Sequence, residues 1–147
     1  MFQGTSVLSL DAKWRLAIPA RHREALAVDG RVVITAHPHG CLLIFPVEVW
    51  EPIRAQIAGM SSLDKHTGTF KRMLLGLAEE LELDSASGRV LIPPALRTQA
   101  KLEKQVWLVG QGPHFELWSD ARWQEQQAEM NAMYETGLPP GFEKLPI

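Results

Sequence analysis

Cysteine, tyrosine and long apolar runs are scarce in this chain of 147 residues. A single cysteine, Cys41, cannot form a bridge within the chain, which excludes the small disulfide-stapled class and suits a reducing compartment. No window approaches the ~18 uninterrupted apolar residues that a spanning helix needs, so no membrane partner is expected. The opening stretch MFQGTSVLSLDAKWRLAIPA lacks a basic start followed by an apolar core and does not read as an export signal, which points to the cytoplasm. Enzyme signatures are missing too: there is no glycine-rich phosphate loop, no Ser or Cys nucleophile motif and no recurring pair of acids. We expect neither catalysis nor a cofactor. What is present is a globular composition, 46% hydrophobic and 22% charged, with enough chain to bury roughly two-thirds of its unfolded surface.

A net charge of −2 offers no global attraction to phosphate, but the average hides an asymmetry. Residues 1–74 hold nine Lys/Arg against six Asp/Glu (+3), and residues 75–147 hold six against eleven (−5). If nucleic acid is bound, the first half should supply the contact.

The two halves are also related. RLAIPARHR from Arg15 overlies RVLIPPALR from Arg89 at an offset of 74, and Val32-Val33-Ile34 falls on Val106-Trp107-Leu108. After a shortening by one residue, Leu42-Leu43-Ile44-Phe45 meets Phe115-Glu116-Leu117-Trp118 and Trp50 meets Trp123. A shared order of elements over some forty residues marks two copies of one unit.

Each copy reads as four strands and two helices. First strands over Thr5–Leu10 and Leu81–Leu83 run into Asp11 and Asp84, residues that favour turns. Second strands over Arg15–Ile18 and Arg89–Ile92 are stopped by Pro19 and Pro93-Pro94, which suit a helix start, so short helices are predicted near 19–27 and 93–101. Strands near 31–36 and 41–45, and near 104–109 and 114–118, are joined by the turns HPHG and GQGPH. Longer helices should close the copies near 47–58 and 120–134. The chain thus divides into a first repeat over 1–60, a helical linker over 61–78 for which Ser61-Ser62-Leu63-Asp64 offers a cap, a second repeat over 79–136 and a loose tail over 137–147. A unit this small has a thin core and exposed edges, so the copies should stabilise one another.

The chemistry concentrates at the first turn. Asp11 opens it and Arg15 stands at the head of the next strand, which puts a guanidinium at a loop tip; its planar fork matches O6 and N7 of guanine in the major groove. Lys13 suits a phosphate, as does Arg21 at the start of the short helix. Asp11 reads as the cap of the turn, because a carboxylate beside phosphate is repelled. The residues alone equally allow a purely structural ion pair between Asp11 and Arg15. Arg23, whose counterpart Arg97 recurs in the acidic half, reads as structural. His37-x-His39-x-Cys41 carries metal-ligand residue types, but Pro38 and Gly40 mark it as a hairpin turn and no metal is expected.

Met1-Phe2-x-Gly4, Leu10-Asp11-x-Lys13-x-Arg15-Leu16 with Ile18-Pro19 and Arg23, Cys41-Leu42-Leu43, Leu74-Leu75-Gly76 and Phe115-Glu116-Leu117-Trp118 together resemble the MraZ family of bacterial transcriptional regulators, over all but the last dozen residues. The resemblance implies a mainly β, α+β chain of two tandem AbrB-like swapped-hairpin units, paired within the chain as a double-psi-like barrel with a helix after each unit. It further implies a ring-like homo-oligomer that binds G-rich direct repeats in promoter DNA upstream of a division and cell-wall gene cluster, as a nucleoid-associated repressor. An antitoxin or protein-binding module of the same fold is the alternative. The family signature is Asp-x-x-x-Arg once per unit. Here Trp14 stands where glycine usually precedes the first arginine, and Asp84 to Arg89 is one residue too long. If the turn requires a positive φ, Trp14 is strained by ~1 kcal/mol or more. Arg15, in the +3 half with its spacing intact, should dominate DNA contact, and Arg89, in the −5 half behind a lengthened turn, should contribute weakly.

Overall fold

A computed structural model describes residues 1–147 as eight strands and five α-helices. The strands are β1 (Thr5–Ser9), β2 (Arg15–Ala17), β3 (Arg31–Ala36), β4 (Leu42–Pro46), β5 (Glu79–Glu82), β6 (Arg89–Leu91), β7 (Gln105–Gly110) and β8 (Phe115–Ser119). The helices are α1 (Ala20–Leu26), α2 (Val47–Ala58), α3 (Lys65–Lys71), α4 (Pro94–Gln99) and α5 (Asp120–Ala132). Prolines fix the entries as their chemistry dictates: Pro19, Pro46 and Pro93 each cap a helix, where a missing N–H costs nothing.

The repeat in the sequence becomes an approximate twofold in space. One sheet runs β1-β7-β8-β4-β3-β5, an order that reads the same from either edge once the copies are exchanged. Each copy's first strand leaves its own unit and pairs with the third strand of the other, β1 with β7 and β5 with β3, so the hairpins are swapped. The centre of the sheet joins the copies through β4 and β8, with Leu43 opposite Glu116. The second strands form a separate antiparallel ribbon in which Leu16 faces Val90. The ladders do not close into a barrel; sheet and ribbon pack over a common core, and β1 and β5 remain edges.

β3 beyond Arg31 and the whole of β4 are buried because the sheet is covered on both faces. Val32, Ile34, Leu42 and Ile44 face the central core, where Leu16, Ile18, Val90 and Ile92 meet them from the ribbon side, with Leu26 and Leu96 from α1 and α4. The alternate residues Val33, Leu43 and Phe45 pack under Trp50 and Ile57 of α2. On the second copy's outer face, Cys41, Val109 and Trp118 lie under Trp123 of α5, so the repeat-related Trp50 and Trp123 do equivalent work. Burial pushes the Cys41 thiol well above its usual range.

The linker breaks the symmetry. Of the stretch 61–64 that offers a cap, Asp64 is the residue that caps α3, accepting from Thr67 N–H at 2.9 Å. The helix then widens into a π turn over Arg72–Gly76, and the fully buried Thr35 hydroxyl donates to Leu74 O at 2.6 Å. The sequence gives no warning of the π turn. Gly137–Ile147 is almost entirely exposed, with a single turn at Phe142–Lys144.

Candidate nucleic-acid interface

The first turn is built by Asp11. Its Oδ1 accepts from the backbone N–H of both Lys13 and Arg15, each at 2.9 Å, and its Oδ2 accepts from Arg15 Nε at 2.8 Å. These donors, the Arg15 N–H foremost, hold the Asp11 carboxyl below its ordinary range. The Asp11 cap and the Asp11–Arg15 ion pair, both admitted by the sequence, form together. Only Nε of Arg15 is engaged, so its terminal Nη groups have no partner within the chain, and the guanidinium is aimed by a bond that leaves its outer edge free.

Trp14 adopts φ = 62°, the left-handed conformation that the glycine-like position demands. Its indole is half-buried against the central core, and Arg97 of α4 lies over it with Cζ 4.9 Å from the ring centroid.

The second turn absorbs its extra residue by changing its cap. The Asp84 carboxylate accepts from Ser87 N–H at 2.8 Å and from its hydroxyl, which lowers its pKa, and Ser87 Oγ in turn accepts from Arg89 N–H at 3.3 Å. Gly88 takes φ = 68°. The guanidinium of Arg89 makes no hydrogen bond or ion pair within the chain.

Ribbon register brings the two arginines together. Leu16 and Val90 point into the core, so Arg15 and Arg89 project from the ribbon's outward face, Arg15 opposite Leu91 and Arg89 opposite Ala17. Both line one concavity with Arg31, Asp29, Glu82 and Asp84, in which the charges balance. Lys13 is exposed at the first tip. Arg21 is directed instead to β1, where Nη2 donates to Ser6 Oγ at 3.1 Å. Arg23 and Arg97 are structural twins: Nε donates to Ile18 O at 2.8 Å and to Ile92 O at 2.7 Å respectively.

Sequence reasoning overlooked Lys104. It precedes β7 and lines a small hollow with Asp11, Ala12 and Trp14, and its carbonyl accepts from Leu10 N–H at 2.8 Å. A cation from the acidic half thus stands beside the basic tip; only the swapped pairing of β1 with β7 could have revealed it. The His37–Cys41 segment is a hairpin turn, with His37 N–H donating to Cys41 O and His39 N–H donating to His37 Nδ1 at 3.0 Å.

Two swapped copies that carry paired arginine tips on a shared ribbon define a tandem-repeat swapped-hairpin protein whose polar face, rather than a cavity, is its chemical feature. The family model described as "MraZ protein, putative antitoxin-like" matches twice, over residues 1–73 and 74–137. The chain is 63% identical to a protein named Transcriptional regulator MraZ from Aromatoleum aromaticum over the whole of both chains. It is 60% and 54% identical to proteins of the same name from Azoarcus sp. and Dechloromonas aromatica, covering 97% and 99% of each chain. The chain belongs to the MraZ family. No helix is long and apolar enough to cross a membrane.

Proposed function

We propose that this chain is a transcriptional regulator that binds double-stranded DNA through the outward face of the β2–β6 ribbon, represses transcription from G-rich direct repeats in promoter DNA, and acts in the cytoplasm, on the nucleoid, as a ring-like homo-oligomer. Regulation of transcription is the function that its full-length relatives are named for, and it is not an enzymatic one. The reading treats residues 1–60 and 79–136 as the two repeats, 61–78 as their linker and 137–147 as the tail.

The observation that carries the DNA reading is the Asp11–Arg15 geometry. A guanidinium fixed through Nε by its own turn offers its outer edge to a base at little further entropic cost, and that edge is what guanine O6 and N7 accept. Arg89 stands on the same face without such a brace and beside Glu82 and Asp84, so we assign it the weaker contact. Lys13 and Lys104, exposed beside the first tip, suit phosphates. Arg21, turned toward Ser6, reaches phosphate only by exchanging that bond. One specific arginine per chain discriminates by only ~1–3 kcal/mol, so several chains on tandem repeats are needed for a tight operator complex.

Gel-shift titration of the protein's own upstream region against a random duplex tests this reading. Preference for the upstream region supports it, and equal binding to both removes it in favour of a protein-binding module.

A further inference from the structure

A trough of about 760 Å³ lies on the opposite side of the sheet from the ribbon, between the outer faces of β7 and β8 and helix α5. Trp107, Trp118 and Trp123 form its aromatic wall, with Trp107 and Trp123 stacked at 5.8 Å; Met130, Glu116, His37 and His39 also line it. Two of the three indoles are satisfied: Trp107 Nε1 donates to Asp120 Oδ1 at 2.8 Å and Trp118 Nε1 to Glu116 Oε1 at 3.0 Å. Trp123 is more than nine-tenths buried, and its Nε1 is the one buried side-chain polar atom of the chain without a partner. An N–H withheld from both water and protein is costly, so this wall lacks an acceptor.

The same chain carries a segment with complementary chemistry. Gly137–Ile147, GLPPGFEKLPI, exposes Leu138, Phe142, Leu145 and Ile147 and makes only local hydrogen bonds. Its prolines favour the extended polyproline conformation, whose rings stack on aromatic grooves while its carbonyls, left free by the missing N–H groups, accept from indoles. Lys144 is the tail's one basic residue and suits the Glu116 carboxylate.

We propose that the Trp107–Trp118–Trp123 trough receives the Gly137–Ile147 tail of a second copy of this chain. The inference rests on the self-association proposed above and names a surface for it. To fill its own trough the tail would have to double back along α5, which forms the trough's wall; eleven extended residues span about 35 Å, ample to reach a neighbour. Seating places Pro139 and Pro140 on the indoles, Lys144 against Glu116, and a backbone carbonyl at the buried Trp123 Nε1 once the side chains that shield it move aside.

The test compares the full chain with a chain ending at Thr136 by sedimentation velocity across a concentration series, with circular dichroism to verify the fold. A synthetic Gly137–Ile147 peptide, which carries no Trp or Tyr, is titrated into the shortened chain with tryptophan emission as the readout. The proposal expects at least about tenfold weaker association on truncation, saturable quenching or shift by the peptide, weakened association in Lys144→Glu, and recovery when Glu116→Lys and Lys144→Glu are combined. A shortened chain that assembles as the full chain does overturns the tail's role and leaves self-association standing. A full chain that is monomeric at every concentration overturns both. Peptide binding alongside a monomeric full chain means that the tail closes on its own trough, which contradicts the second-copy assignment.

Discussion

Arg97 lies over the Trp14 ring at 4.9 Å, whereas its twofold mate Arg23 is drawn in against Gly88, so closely that a Cβ there would stand 2.0 Å from Arg23 Nε. Both arginines keep the same bond to a backbone carbonyl at the end of a second strand, Ile18 O and Ile92 O. One fold thus holds two solutions to one steric problem: glycine admits the guanidinium, or tryptophan displaces it and stacks beneath it. Each arginine belongs to one copy and the turn it supports to the other, so both contacts lock the copies together.

Gly88→Ala is therefore expected to destabilise by about 1–3 kcal/mol, because it adds left-handed strain and forces the Arg23 guanidinium out of its place against the turn. In an Arg23→Ala background the same change should cost measurably less, since the clash has gone. Trp14→Gly relieves strain but gives up the indole's packing, two opposed terms that should leave stability within about 1 kcal/mol. Urea denaturation of the five proteins, wild type included, checks all three.

Thr35→Val should cost about 1–3 kcal/mol although it preserves shape. The hydroxyl is fully buried and its removal leaves the Leu74 carbonyl of the π turn without that donor. Thermal denaturation gives the loss, and amide exchange should show it concentrated in residues 65–77.

Stability should fall with mild acid. Burial lowers the pKa of His22, His37 and His114 below the ordinary 6.5, so the unfolded chain binds more protons than the folded chain between those lowered values and 6.5. Their contribution is complete above 6.5 and is lost as pH falls through that window. His37 adds a local reason, because a protonated Nδ1 can no longer accept from His39 N–H. A melting temperature lower at about pH 5.5 than at about pH 7.5, with the difference reduced in His37→Gln, is the expected outcome.

Lys13→Ala and Lys104→Ala should weaken binding to operator and random duplex alike and reduce the salt slope, each by about one phosphate contact. Binding isotherms at two salt concentrations check this. A loss confined to the operator would place either lysine on a base instead.

Much of this architecture was legible in the residues. Pro19 and Pro93 marked the ends of the second strands, Asp11 and Asp84 the turns, and the 74-residue offset the duplication. Which strand pairs with which was not legible from the alternation of residues, because two copies with the same pattern permit pairing within a unit or between units; the swap was implied only by the resemblance to the MraZ family. The swap of β1 onto β7 is decided in three dimensions, and Lys104 beside Asp11 is its consequence. Arg15 could be singled out from spacing, but its brace through Nε could not, since spacing says nothing about which guanidinium nitrogen the carboxylate takes.

The most direct test of the account is a comparison of Arg15→Ala with Arg89→Ala in binding isotherms on the protein's own upstream region and on a random duplex, with the oligomeric mass of each variant measured in parallel. The account predicts that Arg15→Ala loses about 1–3 kcal/mol of operator preference per engaged chain, leaving both duplexes bound alike, while Arg89→Ala retains most of the affinity. Equal damage from the two substitutions with assembly intact would contradict it, and would mean that both tips of the ribbon read the DNA.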